Sequence, residues 1–220
     1  MPLNKLTKPK AILFDLDGTL ADTAPDLAAA VNQLRAERGL DATPYEQLRP
    51  VASAGARGLI GAAFGIRPDD ERYEALRVSF LNTYESALVV HSTLFEGVIE
   101  MLAQLDKQGI AWGIVTNKAS RFTDPLVPLI GLGHAGCIVS GDTTPHPKPH
   151  PAPLLEAAQR LQLEPQECWY VGDDLRDIQA GRAAGMPTIA AAWGYCGHVE
   201  PETWEADALL HEPQQLLSLL

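Results

Sequence analysis

The chain is short of basic residues: 17 Lys and Arg stand against 28 Asp and Glu, a formal charge of −11. A duplex held through its phosphates needs a basic face, so a nucleic-acid partner is excluded. Long apolar runs are also missing. None approaches the roughly 20 residues that cross a bilayer, and a membrane partner is excluded with them. The lysine-bearing stretch 1–10 runs into only four apolar residues, 11–14, too few for a secretory leader. Cysteines number three, Cys137, Cys168 and Cys196, widely spaced and without a C-x-x-C pair. They read as reduced thiols of a cytoplasmic protein, at least two of them in the core. There is no repeat and no low-complexity segment. Gly55, Gly58, Gly61 and Gly65 follow no strand and match neither G-x-G-x-x-G nor the P-loop, which argues against a nucleotide cradle.

What is present is a globular composition, 46% hydrophobic and 20% charged, in a length suited to one domain or one domain with an insert. Short apolar runs alternate with helical patterns. The runs are Ala11-Ile-Leu-Phe14, Ala111-Trp-Gly-Ile-Val115, Cys137-Ile-Val139, Cys168-Trp-Tyr-Val171, Thr188-Ile-Ala-Ala-Ala192 and Ala208-Leu-Leu210. Runs apolar on both faces suit a parallel sheet covered on both sides. Helical patterns over 98–108, 151–161 and 175–184 lie between them, two ending at Gly109 and Gly185, where a C′ glycine belongs. The expectation is an α/β fold with a doubly wound, mostly parallel sheet.

One region breaks the alternation. Residues 22–91 hold only helical patterns: 25–38, a short one from Thr43, and 69–88. A crossover needs one helix, so this reads as an inserted all-helical domain on two linkers, near 20–23 and 91–97. The expected division is 1–20 with 94–220 for the core, and 21–93 for the insert.

In an open α/β sheet ligands bind beyond the carboxyl ends of the strands. The first run is followed by Asp15-Leu16-Asp17-Gly18, two close carboxylates that need a cation or a shared proton, then a glycine that lets the chain turn. Thr116 and Asn117 follow the second run, able to donate to an oxyanion. Asp173, Asp174 and Asp177 follow the fourth, opening a helix. Lys148 sits in a proline-stiffened loop between. Asp15 and Asp173, with backbone and water oxygens, make the hard oxygen set that Mg²⁺ prefers. Thr116, Asn117 and Lys148 would then hold a phosphate on that metal. One carboxylate can attack phosphorus while another protonates the leaving oxygen and later activates water. Each element alone has a plain reading as a turn, helix start or surface charge; their order along separate strands favours a site.

Phe14-Asp-Leu-Asp-Gly-Thr-Leu20, Val115-Thr-Asn117, Lys148-Pro149 and Val171-Gly-Asp-Asp-Leu-Arg-Asp177 resemble the four ordered motifs of the haloacid dehalogenase superfamily, and the insert resembles its helical cap. The resemblance implies Asp15 as nucleophile, Asp17 as general acid and base, and Thr116 and Lys148 on the phosphate. It implies Mg²⁺ on the Asp15 side chain, the Asp17 carbonyl and Asp173, with Asp177 in support. Two Asp residues in the first motif imply a phosphatase rather than a dehalogenase. Within the superfamily the finer resemblance is to phosphoglycolate phosphatase-like members, and the stretches 51–58, 95–97, 112–118, 193–195 and 204–207 more nearly resemble bacterial N-acetylmuramic acid 6-phosphate phosphatases of cell-wall recycling.

Other residues carry competing readings. Arg57 is either a hand on the distal part of a substrate or a surface ion-pair partner. His146 and His150 read as loop residues near the pocket, because the flanking prolines forbid a helical metal pair. Trp193, Tyr195 and Trp204 could stack on a sugar ring, but packing of the late strand and C-terminal helix is the favoured reading. The reaction expected is hydrolysis of a small phosphorylated metabolite by a monomer. A β-phosphoglucomutase-like mutase and a phosphorylation-dependent receiver are the rivals; the chain is too long for the latter, and the insert has no role in one.

Overall fold

The structure is a computed structural model and describes residues 6–220; the first five residues of the lysine-bearing stretch lie outside them. In chain order the elements begin with β1 (Ala11–Phe14), β2 (Ala21–Asp22), α1 (Ala24–Ala36), α2 (Tyr45–Leu48), a 3₁₀ segment Arg49–Ala54 and α3 (Gly55–Phe64). They continue with α4 (Tyr73–Glu85), β3 (Thr93–Leu94), α5 (Val98–Lys107), β4 (Ala111–Val115), α6 (Ser120–Leu129) and β5 (Ile138–Val139). The last are α7 (Ala152–Arg160), β6 (Cys168–Gly172), α8 (Leu175–Ala184), β7 (Thr188–Ala191) and β8 (Ala208–Leu210).

Six strands form one parallel sheet in the order β5-β4-β1-β6-β7-β8. Its two-residue side-chain period sorts the apolar runs into two layers. Ile12 and Phe14 pack with α5 and α6 on one face, through Met101, Leu105, Leu126 and Val127. Ala11 and Leu13 face the other way, onto Leu154 and Ala157 of α7 and Ala180 of α8. Both layers are fully buried, which is why β1 reads as continuous apolar sequence rather than alternation. Cys137 and Cys168 are buried, their thiols pushed up to about 11 by desolvation. Among the described residues no helix is long and apolar enough to cross a membrane.

From β1 the chain crosses to β4 and β5 on one side, then returns to β6, β7 and β8 on the other. The direction of winding therefore reverses at β1, and the crevice above β1, β4 and β6 is where such sheets bind ligands. Before β4, the chain leaves the sheet through α1–α4, whose own apolar cluster includes Val31, Leu34, Leu59, Ile60 and Phe80. The two linkers pair as an antiparallel ribbon, Ala21 with Leu94 and Asp22 with Thr93.

Two helices escape the sequence patterns. α3 carries Gly55, Gly58 and Gly61, a composition that disfavours helix. A Cβ at Gly58 would collide with the Val51 carbonyl and Ala54, so close packing on the 3₁₀ segment requires glycine there. α6 contains Pro125 and Pro128, yet buries Phe122, Leu126 and Val127 along one face. Burial of that stripe outweighs the missing backbone donors.

Candidate active site

Strand register brings the expected residues to one crevice. Phe14 pairs with both Ile114 and Val171, so Asp15, Thr116 and Asp173 leave neighbouring strands almost level. Gly18 sits at φ 90°, and a Cβ there would overlap the Asp173 carboxylate. The turn after Asp17 thus needs glycine for both backbone and space. Asp174 caps α8, accepting the Arg176 N–H at 2.9 Å, while Asp177 accepts the Asp174 N–H at 3.1 Å in a reciprocal box. Asp174 therefore serves the helix start, and Asp177 is turned inward.

Lys148 is the centre of the floor, its side chain only 2% exposed. Its ammonium lies 2.9 Å from Asp15 Oδ1, 2.8 Å from Asp177 Oδ1, 2.9 Å from the Val115 carbonyl and 2.7 Å from the Tyr170 hydroxyl. Asn117 holds this lysine in place. The Asn117 Oδ1 accepts the Lys148 N–H and its Nδ2 donates to the Lys148 carbonyl, both at 2.9 Å. The amide thus ties the Lys148 loop to the end of β4 while keeping one Nδ2 proton to donate, and Asn117 borders the cavity. Thr116 is buried, and its hydroxyl accepts the Lys118 N–H at 3.1 Å with its own proton left to donate.

Asp15, Asp173 and Asp177 each place one carboxylate oxygen within 4.8 Å of the others. Asp173 is fully buried, accepting from Thr19 Oγ1 at 3.0 Å and the Tyr195 N–H at 2.8 Å. Burial pushes the Asp15 carboxyl up to about 7, with Lys148 pulling it down and Asp177 raising it further. Asp173 stands well above the ordinary carboxylate range, through burial first and then the neighbouring Asp15 and Asp177. Three buried carboxylates against one ammonium leave the cluster short of positive charge, and the all-oxygen donor set fits a hard divalent cation. The Asp17 side chain is not part of this cluster. It faces the linker, hydrogen-bonded by Thr23 Oγ1 and paired with Lys118 Nζ at 2.9 Å.

Above the floor lies a cavity of about 260 Å³. Asp15, Asp17, Thr116 and Lys148 line its base; Leu27, Phe80, Leu81 and Tyr84 line the insert's side. The insert is docked on the sheet at several points. Arg176, held bidentate by Asp174, donates to the Ser53 carbonyl at 2.9 Å. Arg49 donates to the Gly194 carbonyl at 3.1 Å, and Arg121 pairs with Glu85 at 2.6 Å. The Tyr195 hydroxyl accepts the N–H groups of Thr23 and Ala24, at 2.8 and 2.9 Å, where α1 begins.

The remaining candidates lie away from the cavity. Arg57 lies exposed on α3, lines no part of the cavity and pairs with no carboxylate among the described residues. Each residue turns a helix by about 100°, and it is Ala54, Gly55 and Ala56 that border the cavity. The arginines that do border it are Arg77 and Arg176. His146 and His150 are exposed beside each other, ring centroids 4.7 Å apart, and border no part of the cavity either. Trp193 and Trp204 donate to the carbonyls of Thr19 and Val199, as packing residues do. Lys118, Tyr84, Arg176 and Tyr195 went unread as site residues, since their positions depend on the insert folding back over the sheet. The Phe80–Tyr84 spacing on a helix was the one available signal.

The haloacid dehalogenase-like hydrolase family matches residues 12–191. A phosphoglycolate phosphatase of Xanthomonas campestris pv. campestris is 48% identical over 94% of this chain and 95% of its own. An N-acetylmuramic acid 6-phosphate phosphatase of Pseudomonas putida is 43% identical over 96% of both chains. The crystal structure of a predicted phosphoglycolate phosphatase from Haemophilus somnus 129pt superposes with a TM-score of 0.86 at 27% identity, covering 97% of this chain and 99% of that one. The ordered carboxylates, the lysine among them and the likeness along nearly the whole chain agree: the chain belongs to the haloacid dehalogenase-like hydrolase family and is a phosphatase of it.

Proposed function

We propose that this phosphatase hydrolyses a small phosphate monoester through an aspartyl phosphate on Asp15, with Mg²⁺ as cofactor and residues 21–93 as a cap over the site. The observation that carries the reading is the state of Asp15. Its Oδ1 accepts from the Leu16 N–H at 2.8 Å and faces Lys148, while no donor among the described residues engages Oδ2. That oxygen attacks phosphorus as the ester P–O bond breaks, and Lys148 and Thr116 hold the phosphoryl oxygens. Asp17, in its protonated form, gives a proton to the departing oxygen. As a carboxylate it then takes one from the water that attacks the aspartyl phosphate, releasing inorganic phosphate and free Asp15. Held by Asp15 and Asp173, with Asp177 in support, Mg²⁺ would supply positive charge against the phosphate.

N-acetylmuramic acid 6-phosphate is the leading substrate and 2-phosphoglycolate the second. The cavity, about 260 Å³, lies just below the usual span of small-molecule sites (roughly 300–1,000 Å³) and is large for a two-carbon acid. Its apolar wall of Leu27, Phe80 and Leu81 suits the carbon face of a sugar. The test is phosphate release from both esters and from hexose 6-phosphates, with Mg²⁺ and with excess EDTA. Release that requires metal, is dominated by one ester and vanishes in a folded Asp15→Asn variant is expected. Turnover by Asp15→Asn would remove the nucleophile, and isomerisation without release would make the protein a mutase.

A further inference from the structure

Tyr84 is 1% exposed and borders the cavity from α4, and its ring is fixed on three sides. It stacks on Phe80 with centroids 6.4 Å apart, meets Phe122 of α6 at 5.5 Å, and has Lys118 Nζ 4.7 Å from its ring centre. Among the described residues its hydroxyl is the one buried side-chain polar atom with no hydrogen-bond partner within 3.5 Å, and Lys118, which faces it, can only donate, so the phenol proton has no acceptor. A buried donor left unmade is costly, and such groups are rare in native proteins. Packing does not call for the oxygen: the neighbouring rings are phenylalanines, and a third would fill the same space. Burial raises the phenol from its ordinary value, with Lys118 opposing, so the group is a proton donor at neutral pH.

The position of the hydroxyl gives it a use. Lys118 lies over its ring and spends one of its three protons on Asp17, at 2.9 Å. Asp17 is the group assigned to the leaving oxygen, so Tyr84 stands on the leaving-group side of the phosphate. We infer that the Tyr84 hydroxyl, with Lys118 beside it, is a specificity-determining contact that donates to an acceptor oxygen on the leaving group of the substrate. This rests on the phosphatase reading and adds to it a requirement on the alcohol: an oxygen a few bonds from the ester. Lys118 keeps two protons beyond the one it gives Asp17, so the pocket suits a hydroxyl or ring oxygen and, once Asp17 carries the proton for the leaving oxygen, a carboxylate as well.

The experiment compares the full-length protein with Tyr84→Phe, in Mg²⁺, on four esters: ethyl phosphate, 2-hydroxyethyl phosphate, 2-phosphoglycolate and N-acetylmuramic acid 6-phosphate. The first has no oxygen beyond the ester, the second a neutral acceptor and the third a carboxylate. On at least one acceptor-bearing ester the loss in kcat/KM should exceed that on ethyl phosphate by about tenfold, mainly through KM. The ester with the largest excess identifies the acceptor. The unfolding midpoint should not fall, because the variant only removes an unpaired oxygen. Equal losses on all four esters, or none, would overturn the inference while leaving the phosphatase reading intact. If the unmodified protein releases phosphate from no ester, the two readings fall together.

Discussion

Lys148 Nζ is a single ammonium facing Asp15 and Asp177, with Asp173 beside them, and this imbalance sets a pH signature. The folded Asp15 carboxyl, pushed up to about 7 from an ordinary 3.8, keeps a proton that the unfolded chain releases. Stability without metal therefore falls as pH rises from about 4 to about 7, then levels off, by on the order of a few kcal/mol. Asp173 acts in the same direction. In EDTA, the protein should lose unfolding midpoint relative to Asp15→Asn between pH 5 and pH 8, and Mg²⁺ should restore more of it at pH 8. A parallel course for the two proteins would contradict the raised Asp15. Asp15, Thr116, Lys148 and Asp173 were legible because each ends a strand run or sits in the loop leading on. The hold of Asn117 on Lys148 was not legible, because the backbone it grips is 31 residues away in sequence.

Among the elements, the linkers show how helix and loop are tied. Asp26 on α1 is 3% exposed and accepts from the N–H groups of Val90, His91 and Ser92 and from the Ser92 hydroxyl. It fixes the chain as it returns from the insert toward β3. Asp26→Asn turns an amide toward these donors and should cost about 2–3 kcal/mol, read by urea unfolding. A change within ~0.5 kcal/mol would make the linker independent of α1. Nothing in the sequence marked Asp26, which reads as an acidic residue in a first helical turn. The six strands of the main sheet were read within a residue at each end because their apolar runs are short and bounded, whereas β2 and β3, two residues each, were read as linkers. α3 and α6 were hidden by glycine and proline, whose local preferences tertiary packing overrides.

Taken as a whole, the molecule carries −11, yet at the cavity Lys118, Lys148, Arg77 and Arg176 match Asp15, Asp17, Asp174 and Asp177 one for one. The Debye length is about 8 Å at physiological salt, so distant carboxylates have little hold on an anion there. The alternation of strands and helices, and the region that breaks it, were both readable from periodicity alone. How the insert closes over the sheet was not, because that depends on contacts such as Arg176 with Ser53 and Tyr84 with Phe122. The ribbon of β2 and β3 has one more consequence. Since Ala21 and Leu94 are direct partners, the sheet meets everything between them as a single hairpin turn. Joining them by Asn-Gly, with Phe122 and Tyr195 made polar where the lid had covered them, should give a cooperatively folding protein. It should hydrolyse p-nitrophenyl phosphate slowly and no longer discriminate among esters, and failure to fold would show the lid to be structural. Seen from the sheet, then, the length and fold of the inserted segment are free: only the spacing of its two ends, clasped at Ala21 and Leu94, is prescribed.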